Sequence, residues 1–386
     1  MDGRVMDEGL SLEHKAFRNT VQRFIRERMD PFCQKWEKAE NGHPASLWRE
    51  AGELGLLGLL IPAEEGGPGC DPLFPILLTE EIARSPAGAS LGSITFGADL
   101  LTLLLIEFGT PEQKARYYPR ILSGEVTQCI GISEPDAGSD VNAITTRARS
   151  DGDDFVINGQ KTYISHGMLA DLCYLVVKTD DDVERGRGSL TMLLMDLNTP
   201  GIERRRMDMI AAKASSTAEL FFTDVRVPKS TILGKEGQGL GANISQFLLF
   251  DRVLMSLRAI AAARYAFDLT LDYVKERKVF GKRVFDFQNT QFKLGELKTK
   301  LIVADAFRRD LIAKFMSGIL DHMTSSAAKL WCSEHEYAVT DDCLQLHGGF
   351  GCVAESPISK LFSFARIERI YGGTNEIQKG AIGRSL

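Results

Sequence analysis

Residues 246–257, QFLLFDRVLMSL, set one acid and one base into an otherwise oily helical stretch. Helical neighbours lie three and four residues apart, so Asp251 faces Phe247, Leu248, Leu254 and Met255 along its own helix. Desolvation penalises the charged form of a carboxylate. An acid in such surroundings is either paired with a cation or held near neutrality, where it can serve as a general base. The pairing candidates are Arg252 and, two turns on, Arg258.

Other segments combine glycine with small hydroxyls or bases. GISEPDAGSD (131–140) leaves a strand and packs Ser, Pro and Gly into a polar loop, suited to a ring edge or a pyrophosphate, or simply to a hairpin turn. ERKVFGKRVFDFQ (276–288) reads as a helix ending at Gly281 in a basic cluster. QLHGGFG (345–351) is a glycine turn after a helix, and IYGGTNEIQ (370–378) places two glycines beside Thr374 and Glu376. EGQGLG (236–241) imitates a dinucleotide loop, but a preceding strand and a βαβ unit are not evident, which favours a flexible helix entry. The chain has no GxxxxGK[ST] or HExxH motif, and His335 and His347 have no neighbours suggesting a metal site.

The elements that must position these residues follow a helical, then β, then helical order. EHKAFRNTVQRFIRERMDPF has apolar residues at helical spacing and stops at Pro31; SLWREAGELGLLGLL repeats the pattern. Thr110 and Pro111 read as N-cap and first helical residue. From about residue 127 the texture turns to β. Asn158-Gly159 reads as a hairpin turn, and DLCYLVVKT, SLTMLLMDL and AELFFTDVRVP read as strands of a small antiparallel domain. Long helices return over 242–276, roughly 289–317 and roughly 323–346. The expected domains are 1–126, 127–235 and 236–386.

Composition narrows the class. The chain has 386 residues, 44% hydrophobic and 25% charged, with net charge −6 and no basic block, which argues against generic nucleic-acid binding. Seven scattered cysteines without a CxxC favour a reducing compartment over a zinc or disulfide framework. The acidic start shows no leader, and the oily run at 100–106 is too short to span a bilayer, so no integral membrane association is expected. The expected location is the cytoplasm, or the mitochondrial matrix for a mature eukaryotic chain.

Taken together and in order, EPDAGSD, NGQKTYIS, RKVFG....FQ, QLHGGFG and IYGGTNEIQ resemble the successive flavin-contacting segments of the acyl-CoA dehydrogenase family, along nearly the whole chain. The resemblance implies an α+β multi-domain fold with an N-terminal α-helical domain, a middle antiparallel β domain and a C-terminal four-helix-bundle domain, assembled as a homotetramer around FAD. It implies that Ile132, Ser133, Gly138, Ser139, Tyr163 and Ser165 hold the flavin ring and ribityl region. By the same resemblance, Arg277, Phe280 and Gln288 reach the FAD of a neighbouring subunit, Gln345 and Gly349 lie near the adenine side, and Thr374 and Glu376 close over the pyrophosphate. Ser139, Leu248, Arg252, Gly373 and Arg384 are implied to contact the substrate. Tyr163 stands where Trp is common, Ser165-His166 where Thr-Asn is, and Cys352 where an aromatic is. These departures alter flavin tuning more than binding.

The family's reaction takes a proton from the carbon beside a thioester carbonyl and a hydride from the next carbon, leaving a trans double bond. Many members carry the base as Glu in Y-E-G-T, where this chain has Gly372. Long-chain and isovaleryl members supply it from another helix, just before an arginine. The interval of 25 residues from Arg252 to Arg277 matches theirs and puts Asp251 in that position. Asp is shorter than Glu by roughly 1.5 Å, and a misplacement of about 1 Å can cost on the order of 10²-fold in rate. The Gly372 N–H keeps its implied role of polarising the thioester oxygen. The expected activity is therefore dehydrogenation of an acyl-CoA, or an acyl carrier-protein thioester since Leu249 replaces a polar carrier contact, with electrons passed to an electron-transfer flavoprotein. The alternatives are a flavin oxidase or hydroxylase on the same fold, or a non-catalytic partner subunit that has lost its base.

Overall fold

The computed structural model describes residues 9–92, 100–179, 190–239 and 242–386, the last with side chains from Phe247 onward. Gly241, the last glycine of the EGQGLG segment, and Ser189 of SLTMLLMDL lie outside the described residues.

Helix α1 (Leu12–Phe24) starts on a Ser11–His14 capping box. Pro31 does not end the helical path. The chain widens to a π turn at Ile25–Met29, tightens to a 3₁₀ turn at Asp30–Phe32, and resumes as α2 (Cys33–Lys38). Proline sits in the first turn of that short segment, where its missing N–H leaves no bond unmade. Helix α3 (Ser46–Glu53) is shorter than its apolar pattern suggests, because Gly55 and Gly58 adopt φ +67° and +63° and turn the chain. Then come α4 (Leu73–Ala83), α5 (Pro86–Leu91), α6 (Leu101–Phe108) and α7 (Pro111–Leu122). Thr110 caps α7 in a reciprocal box with Gln113, as its position predicts.

Seven strands form one sheet: β1 (Gln128–Gly131), β2 (Arg147–Asp151), β3 (Asp154–Ile164), β4 (Leu172–Lys178), β5 (Leu190–Asp196), β6 (Ile202–Arg206) and β7 (Ala218–Pro228). Their order is β1-β4-β2-β3-β7-β6, with β5 on β4. Most pairs are antiparallel, but β4 runs parallel to both β1 and β2, since the β2–β3 hairpin intervenes before the chain returns beside β1. The Asn158-Gly159 hairpin expected from sequence is not there. Both residues lie inside β3, and the β2–β3 turn is at Gly152, with φ +64°. Gly159, with φ +146°, marks a register shift against β7, and a Cβ there would press on Thr146 at 2.5 Å. A second shift falls between Lys161 and Ile164. The sheet's buried face carries Phe155, Ile157, Leu175, Leu193, Leu220 and Phe222.

Helix α8 (Ala242–Glu276) ends before, not at, Gly281. Arg277 leads into a small hairpin, β8 (Lys278–Val279) and β9 (Lys282–Arg283), whose turn residues Phe280 and Gly281 have φ +51° and +75°. Helices α9 (Gln288–Met316), α10 (His322–His347), α11 (Pro357–Glu368) and α12 (Asn375–Arg384) follow, the first two within one residue of the pattern-based bounds.

The chain clusters into two compact units. One gathers Met1–Gln34, Pro72–Gly92 and Leu249–Leu386; the other gathers Lys35–Asp71 and Ser93–Leu248. Sequence-distant pieces are tied inside each. In the first, Arg308 pairs with Glu80 and Arg18 with Glu81. In the second, the His43 N–H donates to the Ala214 carbonyl at 3.1 Å. No helix among the described residues is long and apolar enough to cross a membrane.

Candidate active site

Helix α8 buries an unbroken apolar face through Phe247, Val253, Leu254, Met255 and Leu257, and Asp251 is carried inside with it, only 5% exposed. Among the described residues no hydrogen bond or ion pair reaches its carboxylate. Burial pushes its pKa up to about 7, against the opposing charges of Arg252 and Lys329. Arg258 is not its partner. That guanidinium pairs with Glu368, donates to the Gly88 carbonyl at 3.3 Å and lies 3.6 Å from the centre of the Phe364 ring. Arg252 stays beside Asp251 unpaired, its Nε buried without an acceptor.

What Asp251 faces is the turn at Gly372 and Gly373, whose φ values of +65° and +85° suit glycine. A Cβ on Gly372 would overlap the Met255 sulfur and stand 3.2 Å from Asp251 Oδ2. The space a side chain at 372 would use is thus filled from α8. The turn is held by its carbonyls. Gln378 Nε2 donates to Gly372 O at 3.2 Å and to Gly373 O at 3.1 Å, and Lys329 Nζ donates to Gly373 O at 3.0 Å. No acceptor among the described residues takes the Gly372 N–H. Buried acid and unused amide therefore meet at one glycine.

Thr374 caps α12 by accepting from the Ile377 N–H at 3.3 Å. Glu376 is exposed in the first turn, its carboxyl held below the usual range by the backbone N–H there. Arg384 is exposed at the far end of α12, its guanidinium resting near Gly380. Leu248 is half-buried three residues before Asp251. Arg277, Phe280 and Gln288 are exposed on and after the β8–β9 hairpin, Phe280 at 95%. Gln345 and Gly349 are exposed at the end of α10, where Tyr273 stacks on His347 at 4.4 Å and on Phe350 at 5.8 Å.

The second unit gathers the remaining candidates. The Thr162 N–H donates to Ser133 O at 2.9 Å, joining the 131–140 loop to the second bulge of β3. Beneath that junction Lys161, fully buried, donates to Ile132 O at 3.0 Å and to Glu134 at 2.7 Å. Burial alone would raise the Glu134 carboxyl, but Lys161 and the Thr145 and Thr146 donors hold it at about 2. The bulge turns Tyr163 outward at φ +59° and 62% exposure, with Ser165 exposed two residues on. Gly138 and Ser139 are exposed, and nothing lies within 4 Å of a Cβ on Gly138. An outward aromatic face, hydroxyls and an open glycine fit a planar ring with a polyhydroxyl chain.

Sequence reasoning passed over Lys329, Gln378, Asn375 and the Glu134–Lys161 pair. Lys329 carried a signal of the same kind as Asp251, a lone charge in an oily helical run, SAAKLWCS.

Known proteins match along nearly the whole chain. The acyl-CoA dehydrogenase N-terminal domain matches residues 11–125, the middle domain 129–225 and the C-terminal domain 237–386. The long-chain specific acyl-CoA dehydrogenase of Rattus norvegicus mitochondria is 38% identical over 97% of this chain and 87% of its own. The crystal structure of an acyl-CoA dehydrogenase from Geobacillus kaustophilus superposes with TM-score 0.93 and 36% identity, covering 98% of this chain and 99% of that one. A glutaryl-CoA dehydrogenase from Mycobacterium smegmatis, solved in complex with FADH2, has TM-score 0.88 and 27% identity over 98% and 96% of the two chains.

The chain belongs to the acyl-CoA dehydrogenase family, with that family's three-domain fold. It is a flavoprotein oxidoreductase acting on CH–CH bonds, and its cofactor is FAD.

Proposed function

We propose that Asp251 is the general base of an α,β-dehydrogenation of an acyl-CoA thioester. The observation that carries this is its buried carboxylate with Oδ2 against Gly372, the position where other members hold their base. With its pKa pushed by burial to about 7, the acid is still partly ionised near neutral pH and binds a proton more strongly than an exposed carboxylate, as a general base requires. The Gly372 N–H supplies a donor to the thioester oxygen, stabilising the charge that develops as the α-proton leaves. Met255 and the apolar face of α8 keep water from the carboxylate. Ile132, Ser133, Gly138, Ser139, Tyr163 and Ser165 would hold the flavin, with Thr374 and Glu376 at its pyrophosphate and Gln345 and Gly349 towards its adenine. The bound FAD supplies the hydride acceptor. Leu248, Arg252, Gly373 and Arg384 would meet the substrate with Ser139.

The same reading makes an electron-transfer flavoprotein the electron acceptor and the assembly a homotetramer in which Arg277, Phe280 and Gln288 reach a neighbour's FAD. It keeps domain boundaries at 126/127 and 235/236, and the cytoplasm or mitochondrial matrix as the compartment. Anaerobic titration of the FAD-loaded protein with short, long and branched acyl-CoAs tests it. At least one class should bleach the flavin absorbance and yield a 2-enoyl-CoA; no bleaching by any thioester overturns the activity.

A further inference from the structure

Lys329 is a second buried charge at the Gly372–Gly373 turn, and no step of the proposed chemistry uses it. It is 1% exposed on α10. Its ammonium donates to Gly373 O at 3.0 Å and to Asn375 Oδ1 at 2.9 Å, both neutral acceptors. Asn375 is itself fixed, donating to Ser333 Oγ at 3.1 Å and to Glu334 at 2.9 Å. The other buried cations of this unit behave differently. Arg258 holds Glu368, Arg264 holds Asp305 and Arg308 holds Glu80. Lys329 alone of these four has no carboxylate within ion-pair range among the described residues. A buried ammonium without a close counter-ion is costly, and its field is not cancelled locally. Asp251 reaches the same turn through Gly372.

We infer that Lys329 is a positioning residue for the base: bonded to the Gly373 carbonyl, its ammonium sets the pH at which Asp251 ionises and holds the turn that presents the Gly372 amide. This rests on the reading of Asp251 as the base. The surrounding charges support it. Asp251 is faced by Arg252 on its own helix and by Lys329, and both oppose the upward push of burial. Lys329, brought down by burial to about 8, is supported by Glu368, Asp251 and Glu376 and opposed by Arg252. Without the ammonium, burial would act on Asp251 with Arg252 as its one remaining counterweight.

The test is the pH dependence of anaerobic, single-turnover flavin reduction by an acyl-CoA that bleaches the enzyme, in wild type, Lys329→Met, Lys329→Gln and Lys329→Arg. Removing the charge should move the acidic limb to higher pH by about one pH unit, which is roughly tenfold in rate on the limb itself. Lys329→Gln keeps a donor for Gly373 but no charge and should shift like Lys329→Met; Lys329→Arg should restore the wild-type limb. The infrared band of the protonated Asp251 carboxyl, identified by its loss in Asp251→Asn, should shift with the limb in the absence of substrate. A merely structural role would lower rates at every pH and leave that band's titration unmoved, and an unmoved band in Lys329→Met or Lys329→Gln overturns the inference. Where a variant does not retain FAD, the same infrared titration of its folded apoprotein decides. Asp251→Asn separates the two readings: wild-type rates in that variant sink the base assignment, whereas an inactive Asp251→Asn with an unmoved limb in Lys329→Gln sinks only the role of Lys329.

Discussion

Asp251 and Gly372 are complementary residues. The acid enters from α8 because the turn opposite has no side chain, and the turn can have none because Met255 and Asp251 fill the space. This predicts what moving the carboxylate back would do. In an Asp251→Asn background, Gly372→Glu should not restore flavin reduction. A Cβ at φ +65° costs about 1–2 kcal/mol, and crowding Met255 adds roughly 1–3 kcal/mol. Shortening Met255 to Ala in the same protein should recover part of the rate, read by stopped-flow absorbance. Equal failure with and without Met255→Ala would mean that the space beside Gly372 is not what excludes the acid there.

At the scale of elements, the β3 bulge that presents Tyr163 and Ser165 is backed by a cluster of neutral rings. Trp48 Nε1 donates to His43 Nε2 at 2.9 Å, and His166, at φ +60°, lies edge-on to Trp48 and His43 with ring centres 5.6 and 5.3 Å away. Burial lowers His43 to about 4 and His166 to about 3. Below the unfolded value of about 6.5 the unfolded chain binds protons that the folded chain refuses, so stability falls as pH drops from about 6.5 towards 4 and is fully present above it. Asp251, raised to about 7, acts in the opposite sense, its contribution fading as pH rises through 4 to 7. Each histidine should cost ~2 kcal/mol at pH 5. His166→Asn, which tolerates the positive φ, should therefore narrow the gap between Tm at pH 7 and at pH 5; an unchanged gap would refute the histidine origin.

The same elements show what the sequence makes legible. Helix periods, the Thr110 cap and the long strands are local properties, and they read through. Asn158-Gly159 misleads because its turn propensity is local, whereas the bulge it forms is set by Thr146 and β7 across the sheet. Asp251 could be found as a charge in oil, since burial follows from helical spacing. The steric role of Met255 and the carbonyl clamp of Lys329 depend on which helix faces the glycine turn, and spacing along one chain segment carries no such information.

For the whole molecule, exposure of apolar surface points beyond the single chain. Phe280 is 95% exposed and Phe292 and Ile302 are 62% and 58% exposed, apolar surface that the described residues leave open. If Phe280 reaches a neighbour's cofactor, Phe280→Ser should change the stability of the isolated chain by less than about 0.5 kcal/mol yet lower the FAD retained through gel filtration. Full retention would argue against that contact.

A carboxylate that takes the α-proton cannot be replaced by an amide. The anaerobic single-turnover rate of flavin reduction in Asp251→Asn, measured with FAD content and Tm matched to wild type, should therefore fall on the order of 10² to 10⁴-fold, the usual contribution of a general base. A rate within a few-fold of wild type would contradict that role.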